Sequence, residues 1–232
     1  MTAGFAVSGF SYAQENEAPL RQEYFIQQTV DEALLIRINA FEADFESKIS
    51  APNGDVMLLS ALPGSRIAPL FQYIKGGKQN RQLDIEVKSA IHTNRSEFGI
   101  ALTRLNVWDD RSDSVARAYQ MLSFGAESSS VESESNWTVK IDSLINAGRL
   151  FEKFGMLEMR LWSNYLAAHL IHTHLHDNSM VYTLTREILA DLKGAHLQQI
   201  ELAALQLHGT ALIGLKRSGA LNERAAGTDL VQ

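Results

Sequence analysis

The chain contains no cysteine among its 232 residues. That excludes disulfides, thiolate zinc sites and a cysteine nucleophile from this chain, and it leaves the redox compartment open. An excess of basic residues is also missing: the net charge is −6 and the pI is near 5.6, so nothing supports a nucleic-acid or anionic-membrane footprint. No long hydrophobic run is present in the C-terminal half. The best stretch, Leu166 to Ile171, is broken by His169 and follows Ser163 and Asn164, far short of the ~20 apolar residues that cross a bilayer. What is present is 45% hydrophobic content, enough to build real cores in one large or two smaller domains.

Residues 1–22 read as the remnant of an export signal followed by a disordered tail. Ala3 to Phe10 is small and apolar, and Ser11 and Ala13 supply small residues at the −3 and −1 positions of a cleavage site, ahead of Gln14-Glu15-Asn16-Glu17. The basic segment that normally opens a signal is missing, since Arg21 is the first positive residue. This pattern predicts a periplasmic or secreted bacterial protein.

Between residues 23 and 107 the side-chain period is two. Leu34, Ile36 and Ile38 share one face, Leu83, Ile85 and Val87 alternate with Asp84, Glu86 and Lys88, and Phe98, Ile100 and Leu102 alternate with Gly99, Ala101 and Thr103. DVMLLSAL after Gly54 and IAPLFQYI before Gly76 predict two more strands, and Phe45 and Ile49 mark another. Pro52-Asn53-Gly54-Asp55, Pro63-Gly64-Ser65 and Gly76-Gly77 read as the turns of an antiparallel meander. Six or seven short strands in so few residues predict a small antiparallel β-sandwich, because a single sheet could not bury both apolar faces.

Beyond Asp109-Asp110-Arg111-Ser112-Asp113 the period becomes helical. A first helix near Ser114 carries Val115, Ala118, Tyr119 and Leu122 on one face, and Glu127 to Ser135 reads as a polar, acidic linker. Trp137, Ile141, Leu144, Ile145, Gly148 and Phe151 then form one amphipathic stripe. After Gly155 the next helix is apolar nearly all round: Leu161, Trp162, Tyr165, Leu166, Ala167, Ala168, Leu170 and Ile171. Such a helix needs cover on more than one side. Phe154-Gly155-Met156 and Lys193-Gly194-Ala195 read as equivalent helix-ending turns, which makes Trp137–Phe154 with Met156–His176 one helical pair and Ser179–Lys193 with Ala195–Arg217 the next. Gly148 and Gly209 fall inside helices, and close helix crossings are the expected reason. The predicted fold class is therefore α+β with two segregated domains: the sandwich at 23–107 and α-helical hairpins at 108–220, followed by a disordered tail at 221–232.

These residues resemble a known family. Leu34-x-Ile36-x-Ile38, the Pro52-x-Gly54-Asp55 turn, LDIEV at residues 83–87 and FGIAL at 98–102 are similar to the sandwich that precedes tetratricopeptide-type repeats in large exported bacterial proteins, many ending in a CHAT peptidase-like domain. Leu144, Gly148, Phe151 and Gly155 fall where the tetratricopeptide motif places its Leu, Gly, Tyr and Gly, while Arg160 stands where it has a small residue. The resemblance implies a non-catalytic scaffold that binds a protein or peptide partner through its helical surface. Alternatively it implies the regulatory front of a longer CHAT-type peptidase.

The residue types that carry chemistry are few in arrangement. His169, His172 and His176 share a face at i, i+3, i+7 of a continuous helix, a spacing that presents imidazoles to one metal, with His174 and Asp177 beside them. No second helix offers a matched ligand, so a solvated helix terminus is the preferred reading and no metal or other cofactor is assigned. Glu152, Glu158, Glu187 and Glu201 are scattered along exposed faces, Ser65 and Ser96 lack a nucleophile elbow, and Gly76-Gly77-Lys78 lacks the spacing of a phosphate loop. Trp162 and Tyr165 read as core. No catalytic residue is predicted.

Overall fold

The computed structural model describes residues 21–30, 32–40, 45–50, 56–60, 69–76, 78–89, 98–106, 110–126, 134–217 and 219. The export pattern, the Pro52–Asp55 and Pro63–Ser65 turns, Ser65, Ser96, most of the acidic linker and the C-terminal tail lie outside them. The chain is mixed α+β and divides into two compact units, Met1–Glu132 and Ser133–Gln232.

In the first unit the described residues form seven strands: β1 (Arg21–Gln28), β2 (Glu32–Ala40), β3 (Phe45–Ser50), β4 (Val56–Ser60), β5 (Leu70–Ile74), β6 (Arg81–Ser89) and β7 (Phe98–Asn106). They make two antiparallel sheets, ordered β1-β6-β3-β4 and β5-β2-β7. One apolar cluster draws on both: Tyr24, Ile26, Ile49, Leu83, Ile85 and Val87 from the first sheet, and Leu34, Ile36, Ile38, Leu70 and Ile74 from the second. The alternation seen at Leu83, Ile85 and Val87 therefore points as expected, with Asp84 and Lys88 exposed on the other face.

The meander is corrected. Only β3 and β4 are both consecutive and paired, with Ser50 opposite Val56; every other pair of successive strands is divided between the two sheets, β5 and β6 included. The first strand begins at Arg21, inside the stretch expected to be tail.

The second sheet is apolar on both faces. Leu35, Phe71 and Tyr73 point away from the shared cluster and are nevertheless buried. Helix α1 (Asp110–Ala126) packs on β5 and β7 and supplies the cover through Ala118, Tyr119 and Leu122. A hydrogen bond joins the side chains of Tyr73 and Gln120, and burial raises the phenol's pKa. The expected boundary at 107/108 placed this helix with the hairpins. Its contacts put it with the strands, and the division falls after Glu132.

A polar knot ties one end of this unit together. Gln28, 1% exposed, donates from Nε2 to the carbonyls of Glu32 (2.7 Å) and Lys75 (3.2 Å) and accepts from Arg81 Nε at 2.7 Å. The Glu32 carboxylate accepts from the Thr29 amide (3.2 Å) and from Arg104 Nη1 (2.5 Å). Burial pushes the Glu32 carboxyl pKa up, and the Arg104 and Thr29 hydrogen bonds more than offset it, so the net direction is down.

In the second unit α2 (Glu134–Lys153) packs on α3 (Leu157–Leu170), and a π-helical turn (Ile171–Leu175) leads to α4 (Asn178–Asp191) and α5 (Gln198–Arg217). Gly155 takes φ +69° and Met156 N–H donates to the Phe151 carbonyl at 2.9 Å, the hydrogen-bonded stop of a helix on a left-handed glycine. Gly194, at φ +86°, ends α4 in a second left-handed turn. Helix α3 is buried all round its middle, as its composition requires, and touches α2, α4 and α5. Arg160 bridges the ends of two helices, reaching Glu152 at 3.1 Å and Asp191 at 2.7 Å. Gly148 answers to a close approach, since a Cβ there would stand 2.5 Å from Asn164 Oδ1. Gly209 does not: among the described residues nothing lies within 4 Å of its Cβ position, and the crowded glycine of α5 is Gly214, where a Cβ would stand 2.4 Å from the Asn178 amide nitrogen.

Replacing Arg104 with Leu leaves the buried Glu32 carboxylate with fewer donors. Because Arg104 itself is 41% exposed, the loss at neutral pH is about 1–2 kcal/mol. Glu32 has a depressed folded pKa, so its contribution is present above the ordinary value of 4.5 and disappears as the pH falls through the lower folded value. Urea unfolding of both proteins across that range is expected to show the two stabilities converging in acid.

Candidate functional site

The histidine face is the first place to look for chemistry, and its geometry differs from the expectation. The i, i+3, i+7 argument needs an unbroken α-helix, but α3 ends at Leu170 and Ile171–Leu175 form a π turn. A wider turn shifts the angular register of everything after it. Thr173 stabilises the break by donating from Oγ1 to the His169 carbonyl at 2.9 Å.

The imidazoles consequently go to different neighbours. His169 is buried, 6% exposed, with its ring 6.2 Å from that of Tyr165. The Nδ1 of His172 is buried without a hydrogen-bond partner among the described residues. His174 stacks on Trp137 of α2 at 3.6 Å, with Lys140 Nζ 5.3 Å from the indole. His176 takes a left-handed conformation at φ 54°, and its ring Nδ1 lies 3.1 Å from the His172 carbonyl. Asp177 accepts from the Met180 amide at 2.9 Å and so caps α4. Among the described residues no group of three or more His, Asp or Glu side chains is placed to hold a metal ion. The solvated-terminus reading also needs correction at its first member, because His169 belongs to the core. Trp162 and Tyr165 are core residues as expected, set edge-to-face at 5.7 Å.

A histidine that the sequence reading passed over holds α4 to α5. His208 stacks on Tyr182 at 4.8 Å, and its Nδ1 lies 2.9 Å from Thr185 Oγ1. The Thr185 hydroxyl donates to the Val181 carbonyl at 2.8 Å, so its oxygen accepts from an Nδ1–H of the ring. Burial lowers the His208 pKa, and the nearby Arg186 charge lowers it further.

The surface feature that stands out is the outer side of α5. Leu202 is 60% exposed, Leu205 51% and Ile213 56%. Ile200, Ala203, Ala204, Leu207, Ala211 and Leu215 are buried against the other helices. At ~100° per residue, Leu202, Leu205, Gly209, Ile213 and Lys216 fall within about 40° of one line, opposite the buried set. The other exposed large apolar side chains among the described residues are Phe25 on β1, Val30 after it, Phe124 on α1, Val139 on α2, Leu157 at the start of α3 and Met180 near the start of α4. Scattered exposure of that kind is ordinary; three large side chains on one stripe are not. The sequence held this signal, since α5 is apolar on two opposite sides. Gly209 lies on the stripe, at a helix-interior cost of about 1 kcal/mol that no neighbour among the described residues explains.

Comparison adds no relative. No family model matches the chain, and no curated protein matches it.

The His208 assignment gives a pH prediction. The folded pKa lies below the ordinary 6.5, so in between the unfolded chain binds the extra proton and acid favours unfolding. The contribution is present above 6.5 and lost as the pH falls through the folded value. His208→Phe keeps a ring against Tyr182 and removes the titration. Its melting temperature is expected to fall less than that of the wild type between about pH 7.5 and about pH 5.5.

Proposed function

We propose that the protein is a non-catalytic interaction module of an exported bacterial protein, binding a protein partner through its helical unit. In this reading the two sheets are a small β-sandwich, and α2–α3 and α4–α5 are tetratricopeptide-like hairpins. The observation that carries the function is the exposed apolar stripe of α5, Leu202, Leu205 and Ile213. A helix whose outer face is apolar and whose rim is polar (Glu201, Gln206, Thr210) is the usual form of a helix-to-helix docking surface. The export proposal rests on the Ser11-Tyr12-Ala13 pattern alone.

The same stripe suits the second reading, in which a further helical pair of a longer CHAT-type peptidase covers α5. That reading has the resemblance behind it and shares the prediction that the stripe is covered by protein.

The test uses the full chain as bait in a periplasmic extract, beside a Leu205→Glu/Ile213→Glu double variant and a Glu187→Lys control on α4. A protein retained by the wild type and the control and lost by the double variant is the expected result. Equal capture by all three baits removes α5 as the binding face. Both targeted side chains are more than half exposed, so the double variant is expected to keep its helical circular dichroism and lose about 1 kcal/mol or less of stability.

A further inference from the structure

We draw no further inference here: the strongest candidate, the exposed apolar stripe of Leu202, Leu205 and Ile213 on the outer side of α5, is an unpartnered helix face, and nothing in the structure shows what covers it.

Discussion

An element without a polar side has to be surrounded, and both units of this protein are arranged around one. In the helical unit it is α3, whose Leu161, Trp162, Tyr165, Leu166, Ala168 and Leu170 are all buried, leaving solvent little access to its middle. Helices α2, α4 and α5 are the cover. In the sheet unit it is the β5-β2-β7 sheet, with Leu34 and Ile36 facing the other sheet and Leu35, Phe71 and Tyr73 facing α1. Removing any one covering element would expose a contiguous apolar face, so α1 goes with the sheet it covers and α2, α4 and α5 go with α3.

Where such crowded layers meet, a few polar groups fix which residue opposes which. The Gln28, Glu32 and Arg104 knot joins the β1–β2 connection to β7 and to the end of β5. The Thr185–His208 bond fixes α4 against α5, and Arg160 ties the ends of α2 and α4 to α3. Arg160 thereby makes two ion pairs at the ends of neighbouring helices. Each of these groups works because its partners are within reach in only one register.

Period was the legible part of the fold. Leu83, Ile85 and Val87 could be placed on an inward face from alternation alone, and Gly155 and Gly194 could be read as helix stops because a left-handed residue favours glycine. Strand β1 escaped because its inward row is Tyr24, Ile26 and Gln28, and a buried glutamine looks polar until its hydrogen bonds to Glu32 and Lys75 are known. Sheet order escaped because alternation says which side a residue faces and nothing about which strand lies beside it. The place of α1 was visible in principle: IAPLFQYI is apolar on consecutive residues, so it needed cover on both faces, and the next amphipathic helix was the cover. The histidine spacing misled for a local reason. Its angles assume ~100° per residue, and the π turn that Thr173 helps to close departs from that step.

The glycines of the helical unit close the argument. Gly148 and Gly214 sit where a side chain would collide with Asn164 and Asn178, so each loss of helix propensity is offset by a contact between helices within the chain. Gly209 has the same cost and no such contact among the described residues, and it lies at the centre of a helix face on which large apolar side chains are exposed in a line. Chain packing accounts for two of the three and leaves the third to whatever covers α5. Burying Leu202, Leu205 and Ile213 would supply roughly 1 kcal/mol or more apiece. Association costs of several kcal/mol stand against that sum, so a contact confined to α5 is transient. Glu201 and Lys216 at the two ends and Gln206 and Thr210 along the side keep the stripe narrow between encounters, which limits the apolar surface an isolated chain presents to its neighbours.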